Sequence, residues 1–156
     1  MAVTSGVGSM EESEVKEMFN TNKVGILCLE DGEKPYGVAL EHYYNGRSLL
    51  FASSLKLGQR KIDCIKDNGR ACYVIYDSRR EQPELIQKDI RCRSLIIEGL
   101  VSLAAVREVD DKENGKVKLQ IIKLEIEKID NWKCPRKKCH WHDQWFVRHP
   151  ELVEGL

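Results

Sequence analysis

A mainly β fold, an antiparallel barrel with short helices, is what this 156-residue chain predicts. Three observations predict it. Apolar runs are separated by the turn dipeptides Asp31-Gly32, Asn45-Gly46 and Asn114-Gly115. The run KVKLQIIKLEIEKI alternates apolar and polar residues, the period of a half-buried strand. Helical periodicity is confined to short stretches. Five or six strands with such helices fit a barrel better than a layered α/β fold.

Each element has its own signal. Residues 1–9 (MAVTSGVGS) are small and polar-leaning and predict a disordered lead, ahead of a barrel over 10–130 and a tail over 131–156. From Glu11 to Asn20, Val15, Met18 and Phe19 recur at helical spacing behind early glutamates that suit a helix N-terminus. VGILCLE, PYGVALEHYY, SLLFASS and ACYVIYD read as strands. LGQRKIDCIKDNG predicts one helix, with Ile62 and Ile65 inward and Asn68-Gly69 closing it. SRREQPELIQKDIR is charged enough to be a surface excursion. RSLIIEGLVSLAAV resumes strand, with Gly99 marking a bulge or a close backbone approach. The chain shows no internal repeat and no low-complexity tract.

Composition narrows the function classes. A hydrophobic share of 42% suits one domain with a real core. Twenty-five basic side chains balance 25 acidic ones, which argues against general binding to nucleic acid or anionic membranes. No apolar run approaches a membrane span and no signal-type core opens the chain, so a cytoplasmic protein is expected. Cys28, Cys64 and Cys72 lie in apolar patterns that suit buried reduced thiols, and no disulfide is expected among them.

One junction carries chemistry. The strand SLLFASS ends in Ser53 and Ser54, followed by Gly58, Arg60 and Lys61 at a helix start. Hydroxyls, a flexible glycine, two cations and helix amides at one strand end make a phosphate seat. Lys56 is a weaker auxiliary. A solvated helix start is the plainer use of an Arg-Lys pair, and the surrounding pattern favours phosphate.

The order of these pieces resembles a known family. EVKEMFNTNKVGILCLEDGEKPYGVAL, LLFASS with GQRKIDCIKDNGRACYVIY, RCRSLIIEGLVSLA and VKLQIIKLEIEKIDNW resemble successive parts of the FMN-binding split barrels related to pyridoxamine 5'-phosphate oxidase. The nitroimidazole-resistance type fits best. The resemblance covers roughly Met10 to Asp130. It implies a split β-barrel, a homodimer and one noncovalent FMN at each end of the interface. It further implies that Arg60 and Lys61 meet the FMN phosphate with Ser53 and Ser54, that Ala52 and Gln59 flank it, and that backbone groups of Gly37, Val38, Ala39 and Leu40 meet the flavin ring. Some nitroimidazole-resistance members carry a histidine after the phenylalanine of the second long strand; here that position is Ala52. His42 is expected at the surface or an interface, with proton donation as its less favoured role.

The tail has its own character. NWKCPRKKCHWHDQWFVRH packs Cys134, Cys139, His140, His142 and His149 among three tryptophans. Cys134, Cys139, His140 and His142 could supply soft ligands to zinc or iron, although adjacent Cys139 and His140 do not easily share one ion. A redox-active dithiol and a basic aromatic tail packing on a partner subunit stand beside that reading, and the last is the plainest. C-x-x-x-x-C-H also resembles a haem attachment site, which would need an export signal. By the family resemblance, a tail tryptophan such as Trp141 could cover the partner's flavin; Trp132 and Trp145 are the other candidates. The expected function is an FMN-dependent oxidoreductase acting on a small-molecule substrate or electron acceptor. The rivals are a flavin or haem carrier or sensor and a metal-binding regulatory protein built on the tail.

Overall fold

The computed structural model describes residues 9–78, 92–135 and 145–156. The charged excursion at 79–91 and the tail residues 136–144 lie outside them. Among the described residues seven strands form one antiparallel sheet: β1 (Val24–Asp31), β2 (Lys34–Glu41), β3 (Tyr43–Tyr44), β4 (Ser48–Ser54), β5 (Arg70–Asp77), β6 (Arg93–Asp111) and β7 (Gly115–Lys133). Their order across the sheet is β2-β1-β5-β6-β7-β4-β3. β2 and β4 approach each other from opposite sides of this order, which curls the sheet into a barrel split between them.

The strand count exceeds the expected five or six because PYGVALEHYY is not one strand. It divides at His42, whose side chain turns inward and is only 3% exposed. His42 therefore does not sit at the surface, as its sequence context suggested. Its Nε2–H donates to the Phe19 carbonyl at 2.9 Å, and its Nδ1 lies 2.9 Å from the Tyr73 hydroxyl. The Tyr73 hydroxyl also donates to the Leu40 carbonyl at 2.9 Å, so one phenolic proton serves two acceptors. Burial pushes the His42 pKa down, partly offset by the Phe19 bond, and a neutral ring with these partners is a structural joint.

Turn chemistry appears where the dipeptides place it. Gly32, Gly46 and Gly115 all have positive φ, at 65°, 89° and 70°. Helix α1 (Glu12–Thr21) starts on a reciprocal Glu11–Glu14 capping box and buries Val15, Met18 and Phe19. Helix α2 (Gln59–Asp67) buries Ile62, Cys64 and Ile65. It stops at Asn68, but Asn68 is extended and Gly69 is not left-handed, so the predicted glycine cap is replaced. The Asn68 amide N–H instead returns to the Cys64 carbonyl at 2.9 Å, and its side chain donates to Glu30.

Leu27, Leu49, Phe51, Tyr73, Leu95, Ile97, Ile122, Leu124 and Ile129 fill the barrel together with α1 and α2. Full burial of such a side chain stabilises the fold by about 1.5–3 kcal/mol. The expected feature at Gly99 is a bulge, with a register shift between Glu98 and Gly99. A Cβ at 99 would overlap the Glu125 carbonyl, so only glycine lets β7 close on β6 there. Arg93, 7% exposed, ties α1 to the sheet through Glu17 at 2.6 Å and Asp77 at 3.1 Å. Asn131, Trp132 and Lys133 continue β7, pairing with Leu95, Ser94 and Arg93. Among the described residues no helix is long and apolar enough to cross a membrane.

Candidate functional site

The phosphate seat is built where β4 runs out. The Gly58 amide N–H donates to the Ser54 carbonyl at 2.7 Å, which folds residues 54–58 into a tight loop at the foot of α2. Strand alternation sends the two serines opposite ways. Ser53 points inward at 4% exposure, and its Oγ has no hydrogen-bond partner among the described residues. An unpaired buried hydroxyl costs about 1–3 kcal/mol, so this one marks a place for a partner. Ser54 instead lines a groove of about 660 Å³ beside the β6–β7 hairpin tip, with Lys56, Lys116 and Lys118.

Gly58 closes over the serine. A Cβ there would overlap Ser53 Oγ, crowd the Ser54 carbonyl and lie 3.3 Å from Lys61 Nζ. Ser53, Gly58 and Lys61 thus converge on one point. Helix α2 begins there with no side-chain cap, so the backbone amides of Gln59, Arg60 and Lys61 have no acceptor within the helix. Those amides and the helix dipole favour an anion. Lys61 makes no ion pair among the described residues.

Arg60 is held differently. Its Nε donates to Asp31 at 2.9 Å, and its guanidinium lies 4.1 Å from the Tyr36 ring centre. Sequence reasoning missed both partners, since Asp31 read only as a turn residue and Tyr36 only as a strand residue. An exposed pair of this kind is worth about 0–1 kcal/mol, whereas a hydrogen bond to a charged group is worth about 1.5–3 kcal/mol. A phosphate could therefore draw Arg60 away from Asp31. Gln59 is exposed and donates to Asp63 at 2.6 Å, turned along its own helix.

The ring-side residues divide by face. β2 ends the sheet, so among the described residues one edge of its backbone has no strand partner. Gly37 and Ala39 are exposed on the outer face, while Val38 and Leu40 pack toward the core. A cavity of about 370 Å³ opens near the split, walled by Glu41, His42, Tyr43, Leu50, Phe51, Ala52 and Ile121. Ala52 belongs to this wall; Gly37–Leu40 do not.

Of the tail residues, Cys139, His140, Trp141 and His142 lie outside the described residues. Cys134 is described, and it faces a cysteine the tail motif did not include. The Cys134 amide N–H donates to the Cys92 carbonyl at 2.8 Å, extending the β6–β7 ladder by one residue. Trp132 is 40% exposed on β7. Trp145 begins a four-residue helix, α3 (Trp145–Arg148), and His149 pairs with Glu151 at 2.9 Å.

No protein-family model and no curated protein matches this chain. Solved structures do. A candidate pyridoxamine 5'-phosphate oxidase from Listeria innocua superposes with a TM-score of 0.56 at 18% identity, over 80% of this chain and 98% of that one. An FAD-binding protein from Mesorhizobium loti gives 0.54 at 16%, over 80% and 94%. HutZ, the haem storage protein of Vibrio cholerae, gives 0.53 at 14%, over 78% and 94%. The strand order, the split between β2 and β4 and these superpositions agree: the chain has the split β-barrel fold of the pyridoxamine 5'-phosphate oxidase-like proteins.

Proposed function

We propose that this chain is an FMN-binding flavoprotein that works as a homodimer in a flavin-dependent oxidoreduction. The observation that carries the proposal is the orphaned Ser53 hydroxyl beneath Gly58, next to Lys61 and the open amides of α2. These groups fit a terminal phosphate. Ser53 Oγ can donate to it, Lys61 and Arg60 can neutralise it, and the helix amides can complete its shell. A phosphate that ends the pocket there suits FMN better than FAD. Two split-barrel neighbours are named as FAD-binding proteins, which supports a flavin in general.

When bound, the flavin supplies the hydride or electron chemistry. The chain's own part is binding and orientation. Its edge strand β2 offers backbone groups, and Leu50, Ala52 and Ile121 offer an apolar wall. His42 holds no proton for a substrate, because both ring nitrogens are engaged in the interior. A partner copy is supported by the outer face of β1, β5 and β6, where Val24, Ile26, Tyr76 and Ile96 are each at least 40% exposed. Such a patch on one sheet face is typical of an interface.

The absorption spectrum of the purified protein tests the cofactor. Flavin bands support the proposal; a Soret band would turn it toward haem carriage, the role named for HutZ. Lys61→Ala should weaken FMN binding about tenfold or more, given the strength of a charged hydrogen bond. Unchanged affinity would remove the phosphate from this seat. A second reading is a tail zinc or iron site: the Cys134 amide bonds to the Cys92 carbonyl, so two cysteines stand opposite each other at the end of the β6–β7 ladder. Metal analysis of wild type and Cys92→Ser checks it.

A further inference from the structure

We propose that Asp31 is a positioning residue that withholds Arg60 from the phosphate seat until a phosphate displaces it. The inference rests on the flavin reading and deepens it, because it gives the seat a built-in competitor. The two cations start from different states. Lys61 Nζ stands 3.3 Å from the Cβ position of Gly58, the point that Ser53 Oγ also reaches, and makes no ion pair among the described residues. Arg60, one residue earlier on α2, is turned to the β1–β2 hairpin instead. Its Nε donates to Asp31 at 2.9 Å, and its guanidinium lies 4.1 Å from the centre of the Tyr36 ring.

The hold places the side chain and is weak enough to yield. The Arg60 and Asp31 side chains are 59% and 47% exposed, and an exposed pair biases an equilibrium by no more than about fivefold. The Tyr36 contact adds a bias of about two- to fivefold. Tyr36 packs against the barrel core and so offers a fixed platform. A phosphate monoester carries about 1.5 to 2 negative charges and three acceptor oxygens, against one charge on Asp31. It attracts the guanidinium more strongly than the carboxylate does. Release does not require α2 to move. Ile62, Cys64 and Ile65 keep the helix on the core, and at its far end the Asn68 side chain donates to Glu30 at 2.7 Å. The swing is confined to the Arg60 side chain.

The seat therefore receives phosphate with one cation preset and the other released on arrival. Each binding event includes the breaking of the Arg60–Asp31 pair. The apparent affinity is thus lower than the intrinsic affinity of the open seat by the factor that the pair is worth. A merely structural role for Asp31 has the opposite sign. If the carboxylate served only to brace the hairpin against α2, its loss would loosen the seat and weaken the ligand.

FMN titration of four full-length proteins tests this: wild type, Asp31→Asn, Arg60→Ala and the double variant. Asparagine keeps the size of Asp31 and suits the turn at Gly32, so the hairpin should retain its shape. Arg60→Ala should weaken FMN binding about tenfold or more. Asp31→Asn should tighten it about two- to fivefold, and that gain should vanish in the Arg60→Ala background. The Arg60 Nε–H nuclear magnetic resonance signal, assigned by its absence in Arg60→Ala, should shift between ligand-free and FMN-saturated protein. A signal that stays in place would overturn the release. Unchanged or weaker binding by Asp31→Asn, with Arg60→Ala still impaired, would overturn the competition and leave the seat standing. Tightening that survives in full without Arg60 would also overturn it, because Asp31 would then act only as a bare charge. Wild type that binds no FMN, or Arg60→Ala with wild-type affinity, would instead overturn the reading of the seat and the proposal with it.

Discussion

Ser53 and Gly58 make opposite demands on the ligand-free protein, and that difference is testable. Ser53→Ala removes an unpaired buried hydroxyl, so stability should hold or rise by up to about 1 kcal/mol, while FMN affinity falls about tenfold. Gly58→Ala forces a Cβ onto Ser53 Oγ and should lower both. Denaturant titration and flavin titration of the two variants read the contrast. His42 predicts a pH dependence. Its folded pKa is lowered by burial, so the unfolded chain takes up a proton near pH 6.5 before the folded one does. The stability is fully present above that value and lost as pH falls toward the folded pKa, at no more than about 1.4 kcal/mol per pH unit. His42→Asn should flatten the difference between denaturation midpoints at pH 7.5 and pH 5.5. At this scale the turns were legible, because Asp31-Gly32 and Asn114-Gly115 act locally. His42 was not: its environment is made by Phe19 and Tyr73, far along the chain.

Among elements, the β6–β7 hairpin and the Arg93 cluster set the frame. Gly99→Val should leave little folded protein, because its side chain would have to displace the β7 backbone at Glu125. A thermal melt, or loss of soluble expression, measures this. Arg93→Ala would remove the guanidinium that pairs with both Asp77, 6% exposed, and Glu17, and should lower stability in denaturant unfolding by about 1.5–3 kcal/mol. Strands and both long helices were readable from period and turn signals. Register was not. Whether Ser53 or Ser54 faces inward, which cysteine meets Cys28, and that Cys92 meets Cys134 all depend on pairings between distant segments. Composition carries no trace of such pairings. The candidate site was therefore legible as a cluster of residue types, and its division into inward and outward faces came only with the fold.

For the whole molecule, the proposed dimer rests on the outer face of β1, β5 and β6. Ile26→Asp with Ile96→Asp should yield monomers by sedimentation and lower flavin occupancy, without touching the phosphate seat. A flavin-loaded monomer would separate cofactor binding from assembly. The position of β4 in the sheet has a consequence for how the protein is made. Among the described residues its only long partner is β7, and Ser53 and Ser54 pair with Gln120 and Leu119. Those serines leave the ribosome more than sixty residues before the strand that holds them. At about 5–20 residues per second they wait several seconds, held by nothing longer than the two-residue β3. The β1–β2 hairpin, by contrast, can close as soon as it emerges. The anion seat is thus among the last parts of the protein to exist during synthesis, and a ligand that binds it selects chains whose final strand is already in place.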